Sequence, residues 1–75
     1  MSRSRNWVFT INNPDDDDNP ERWDCSKFKY LVFQLEKGEQ NTPHYQGYIT
    51  FSRMKSLKQV KEICKKAHWE PRKGS

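Results

Sequence analysis

Apolar and polar residues alternate in three stretches of the chain and recur at helical spacing in a fourth. Residues 6–11, NWVFTI, put Trp7, Phe9 and Ile11 on one face and Val8, Thr10 and Asn12 on the other, the period of a half-buried strand. The following NNPDDDDNPER is turn chemistry. Asn19 as cap with Pro20 and Glu21 in the first turn predicts a short helix over about 20–26. Residues 28–36, FKYLVFQLE, alternate again, with Leu31, Phe33 and Leu35 opposed to Tyr30, Val32, Gln34 and Glu36. A polar loop at 37–43 leads into HYQGYITF, where Tyr45, Ile49 and Phe51 oppose His44, Gln46, Tyr48 and Thr50.

The period then changes. Leu57, Val60, Ile63 and Cys64 form an apolar helical stripe, and Ser56 with Gln59 is a capping-box pair, so a helix is expected over about 55–66. AHWEPRKGS reads as a short closing strand. The order strand, helix, strand, strand, helix, strand predicts an α+β fold: a ferredoxin-like (RRM-like) antiparallel sheet with helices packed on one face.

The short loop makes 28–36 and 44–51 an antiparallel hairpin, and residues directly opposite share a face. With the loop at 37–43, Glu36 faces His44 and Gln34 faces Gln46. A slip of one residue would turn Phe33 and Leu35 into water, which favours this register. Glu36, His44 and Gln46 then converge on the face away from the helices. A carboxylate, an imidazole and an amide oxygen suit Mn²⁺ or Mg²⁺ better than Zn²⁺. An exposed cross-strand polar cluster would have the same spacing, so both readings stand on the residues alone.

Seventy-five residues bound the chain to one small domain, or part of one, and ten aromatic rings offer a core that the few aliphatic residues would not. The net charge is +4, with Asp15–Asp18 holding four of the ten acids, and eight of the fourteen Lys and Arg lie between Arg53 and Lys73. That distribution favours a polyanionic partner. The aspartate run lacks the spaced ligands and glycine of a calcium loop and is expected to be a solvated turn. Cys25 and Cys64 have no CxxC spacing and read as reduced thiols, with a single disulfide as the alternative. No stretch approaches membrane-spanning length and no signal-peptide core is present. An intracellular protein without a membrane partner is expected.

FTINNP at 9–14 resembles motif I, and PHYQGY at 43–48 resembles motif II, of the replication initiators (Rep) of circular single-stranded DNA viruses, in the HUH endonuclease superfamily. The likeness is to the circovirus, nanovirus and alphasatellite branch, where glutamine replaces the second histidine of motif II, as Gln46 does here. It extends from Trp7 through HWEPRKG at 68–74. The resemblance implies rolling-circle replication: metal-dependent, sequence-specific nicking and joining of single-stranded DNA at a stem-loop origin, in the host nucleus. Glu36, His44 and Gln46 would hold a divalent metal, Mn²⁺ or Mg²⁺. Asn12 and Thr10 would lie at the DNA site, with Arg5, Arg53, Arg72, Lys73 and His68 as further DNA contacts.

In that family the nucleophile is a tyrosine in a later motif III, Tyr-x-x-Lys on a helix after the Lys73-Gly74 segment. None of Tyr30, Tyr45 or Tyr48 has a lysine three residues on. Residues 1–75 are therefore expected to be a single domain, the N-terminal part of a nicking domain, truncated before its last helix. They would carry the metal site and part of the DNA site, monomeric and inactive alone. The alternative is a non-catalytic RRM-like module that stacks single-stranded bases on Tyr30 and Tyr48.

Overall fold

The computed structural model of the protein describes residues 3–72. Four strands, β1 (Arg3–Asn12), β2 (Tyr30–Lys37), β3 (Pro43–Ser56) and β4 (His68–Pro71), form one sheet in the order β2-β3-β1-β4. Every neighbouring pair is antiparallel. One short helix, α1 (Leu57–Lys61), follows β3 directly. The fold is a small α+β domain, as expected.

The alternation predicted for β1, β2 and β3 sets the two faces. Trp7, Phe9, Ile11, Ile49, Phe51 and Trp69 are buried together with Val60 of α1, Cys64 and Ala67. Phe9, Trp23 and Trp69 pack as tilted rings with centroids 5.0, 5.4 and 5.8 Å apart. Such pairs add about 0.5–1.5 kcal/mol each beyond the area they bury. Gly47 sits in β3 under this cluster, opposite Phe9 on one side and Phe33 on the other.

Three expectations change. The helix over 20–26 is instead a pair of single 3-10 turns, Pro20–Arg22 and Cys25–Lys27, after a third at Asp16–Asp18. Asn19 Oδ1 accepts from Glu21 N–H and Asp24 Oδ1 from Ser26 N–H, each at 3.0 Å. Asp24 thus caps a second turn instead of extending the first, a competition with helix interiors that is characteristic of Asp. Trp23 between them is extended, at φ −68° and ψ 146°.

The helix over 55–66 shortens to five residues. β3 runs on to Ser56, whose hydroxyl caps α1 by accepting from Gln59 N–H at 3.3 Å, while Ser56 N–H donates to Gln59 Oε1 at 2.8 Å. That is the capping box read from the sequence. At the other end Glu62 and Ile63 donate three residues back, and the Cys64 carbonyl accepts from the Trp69 indole at 2.9 Å.

Leu35 also departs from its expected burial: it is on the core side but 54% exposed. Its strand is at the sheet edge, and α1 contacts β3 and β4 instead. Tyr45 is half-buried, edge-on to Phe33 at 5.6 Å. One irregularity was not anticipated. Between Ser4 and Asn6 the β1–β3 register slips, so that Arg5 alone lies opposite residues 51–54.

Candidate metal and nucleic-acid site

The face away from α1 is built in rows across the sheet. Glu36, His44 and Asn12 form the first row, and Gln34, Gln46, Thr10 and His68 the second. Val32, Tyr48, Val8 and Glu70 make the third. The register of Glu36 with His44 and of Gln34 with Gln46 is the one expected from loop length and face matching.

His44 Nε2 lies 3.3 Å from Glu36 Oε1. The imidazole is largely covered (18% exposed), whereas the carboxylate is more open, at 36%. Glu36 Oε2 accepts a hydrogen bond from the Gln34 side chain. One carboxylate oxygen is therefore held by an amide and the other is directed at a ring nitrogen. Asn13 N–H donates to the Pro43 carbonyl at 3.0 Å, which ties the end of β1 to the residue before His44. Asn13 takes a positive φ of 49°, a conformation that asparagine tolerates better than most residues.

Two donors at roughly 2.1 Å from one ion, held 3.3 Å apart, subtend about 100° at it, a comfortable angle for adjacent ligands. The Glu36–His44 pair thus fits a hard divalent cation. Among the described residues no three His, Cys, Asp or Glu side chains converge. A third donor would be of another type: Asn12 lies opposite His44, and Gln46 is exposed and two residues from His44 on the same face.

The family model described as "Putative viral replication protein" matches residues 4–75. The chain belongs to this family. It is 42% identical to the replication-associated protein of pigeon circovirus over 74 residues, 96% of this chain and 23% of that protein. It is 46% identical to the master replication protein of banana bunchy top virus over 69 residues, 92% of this chain and 23% of that protein. The replication-associated protein of beak and feather disease virus is 42% identical over 76 residues, 99% of this chain and 26% of that protein. The chain thus spans about a quarter of the length of these curated relatives.

In this member of the family the remaining residues of interest divide by position. Asn12 pairs with His44, and Thr10 with both Gln46 and His68, so these belong to the same face as Glu36. His68 Nε2 is 3.0 Å from Glu70 Oε1, and a shallow groove of about 330 Å³ lies between them, Val8, Thr10 and Gln46. Arg72 lies over the Tyr48 ring, 5.9 Å from its centroid. Arg53 is elsewhere, in a groove lined mainly by β3 and the residues around α1, and Arg5 is exposed at the register slip. Lys73 lies outside the described residues.

Sequence reasoning passed over Gln34 as the partner of Glu36 and Glu70 as the partner of His68. The signal was available: both pairs are two apart on one strand, hence on one face. It also missed Lys66, which donates to the Asn13 carbonyl and lies 3.3 Å from Asp18 Oδ2. This contact pins the turn after β1. The Asp18 carboxyl is held below its usual range, chiefly by the N–H of Asp15 and then by Lys66. The Asp24 carboxyl is lowered by the hydroxyl and N–H of Ser26.

Proposed function

We propose that residues 1–75 are the metal- and DNA-binding part of a nicking domain, an HUH-type endonuclease that cuts and rejoins single-stranded DNA at a viral replication origin. The observation that supports this most is the approach of His44 Nε2 to Glu36 Oε1 on an open sheet face, beside Gln46. The names of the relatives, replication-associated and master replication protein, agree with it. The strand order β2-β3-β1-β4 agrees with a ferredoxin-like sheet, which we propose as the fold.

A bound Mn²⁺ or Mg²⁺ would act as a Lewis acid on the scissile phosphate. Glu36 and His44 would hold it, with Gln46 as third donor. Gln34 fixes the carboxylate of Glu36, leaving Oε1 for the ion. The strand of DNA would cross the shallow groove at Thr10, Gln46 and His68, with Asn12 next to the metal pair.

None of Tyr30, Tyr45 and Tyr48 suits the role of nucleophile, which must reach a phosphate next to the ion. Tyr45 packs toward the core on Phe33, Tyr48 lies under Arg72, and Tyr30 is at the far end of β2 from Glu36. Residues 1–75 alone therefore form no covalent adduct with DNA. The reading as a base-stacking module draws on Tyr30, which is 56% exposed.

Calorimetric titration with MnCl₂ tests the site. Wild type is expected to bind one ion, and His44→Ala and Glu36→Ala each to weaken binding by at least about tenfold. Equal titration of all three proteins refutes the assignment. Oligonucleotide binding that is identical in chelator and in Mn²⁺, and lost in Tyr30→Ala, would favour the stacking module.

A further inference from the structure

The open face that carries Glu36 and His44 is poor in positive charge. Besides its histidines, the charged side chains in its paired rows are Glu36 and Glu70, joined by Arg72 over Tyr48. A polyanion is not drawn there by the protein's own cations. Yet the chain has a net charge of +4.

Part of that charge converges on the helix side of the sheet. A groove of about 450 Å³ is floored by Phe51 and Ile63 and flanked by Lys27, Arg53 and Lys55, with Glu62 the one acid in its lining. Lys55 Nζ sits 5.8 Å from the centre of the Phe51 ring. Among the described residues none of these three cations forms an ion pair, whereas Arg22 and Lys66 do. Like charges gathered round one concavity repel one another, and an anion seated between them relieves that repulsion.

The backbone is shaped for the arrangement. Residues 51–54 form the long side of the register slip opposite Arg5, and this displaced run carries Arg53 to the groove rim. Bulges commonly re-aim a side chain in this way. The turn Cys25–Lys27 supplies Lys27 from the other side. The apolar floor lets a sugar-phosphate chain lie flat while the ammonium and guanidinium groups meet its oxygens.

We infer that this groove seats the phosphodiester backbone of a nucleic acid, as a second contact on the opposite side of the sheet from Glu36 and His44. The contact needs no metal and reads no base. It anchors the nucleic acid whether or not the open face cuts it.

The test uses the 75-residue protein and fluorescence anisotropy in a salt series. The probes are a labelled DNA hairpin and an unstructured single strand of equal length. Lys27→Gln/Arg53→Gln removes two exposed groove charges; Lys58→Gln/Lys61→Gln removes two exposed charges from α1 as a net-charge control. The groove variant is expected to lose about tenfold in affinity and to lower the salt slope by about 2, because each phosphate contact contributes about 0.9. The control should change little. A larger loss on the hairpin assigns the groove to a duplex stem, and a larger loss on the strand assigns it to single-stranded DNA. Equal losses in groove variant and control, or none in either, overturn the proposal. Mn²⁺ titration of the groove variant should match wild type, so failure of the metal assignment and failure of the groove are read separately.

Discussion

Replacing Gly47 by alanine is the sharpest test of how β3 is seated. A Cβ there would stand 2.3 Å from Phe9 Cζ, 2.6 Å from Phe9 Cε1 and 2.8 Å from the Val32 carbonyl oxygen. Carbon contacts are normally about 3.5–4.0 Å, so the ring must move by more than roughly an ångström. Phe9 is 2% exposed and held between Trp23 and Trp69, and the third obstacle is backbone of the neighbouring strand.

Overpacking of this kind typically costs about 1–3 kcal/mol, and the fixed surroundings argue for the upper end. Alanine returns about 0.4–1 kcal/mol by restricting the unfolded chain, which leaves a net loss of about 2–3 kcal/mol. For a domain whose total stability is of the order of 4–11 kcal/mol, that is a large fraction. The melting temperature followed by circular dichroism should fall by about 10–20 °C. Adding Phe9→Leu to Gly47→Ala removes the obstructing ring atoms. The two substitutions together should then cost less than their sum by about 1 kcal/mol or more. A Gly47→Ala protein melting within about 2 °C of wild type would refute the reasoning, since the space would then have to exist.

Three further outcomes can be checked on the same protein. The Asp18 carboxyl is depressed by the Asp15 N–H and by Lys66, so its contribution is complete above the ordinary value of 3.8 and lost as pH falls through the lower folded value. Wild type should therefore lose melting temperature more steeply than Asp18→Asn as pH is lowered from about 5 to about 2, and parallel curves would remove Asp18 from the account. Ser56→Ala deletes the acceptor for Gln59 N–H and should lower stability by about 1 kcal/mol in urea, with Ser56→Asn close to wild type. Cys25 is exposed and Cys64 buried, so a thiol reagent should titrate one cysteine quickly in the native protein and both in denaturant.

The faces of β1, β2 and β3 were legible because period-two alternation ties each side chain to one side, and a short loop ties Glu36 to His44. Alternation says which way Leu35 faces, however, and nothing about whether anything covers it. The cap of α1 was readable because Ser56 and Gln59 make a local pair, whereas the end of α1 was not. The residues after it are placed by contacts from another strand, among them the Trp69 indole donating to the Cys64 carbonyl. Around 20–26 the residues Asn19 and Asp24 each suit a cap, and only the structure shows that both are used. The slip at residues 51–54 leaves no glycine or proline to announce it. Of the candidate DNA contacts, Thr10, Asn12 and His68 could be placed by strand parity, but Arg53 could not, because it lies inside that slip.

β3 carries His44 near one end and Arg53 near the other, on a single unbroken element. Nine residue intervals of strand span at most about 30 Å, close to the length of nine stacked base pairs. The longest dimension of the molecule is 36 Å. Both positions lie on one strand, whose register slips only at the Arg53 end, so their separation does not change with domain motion. Any partner that touches both ends must match it, and inserting two residues into β3 beyond Tyr48 would alter the measure without reversing either face.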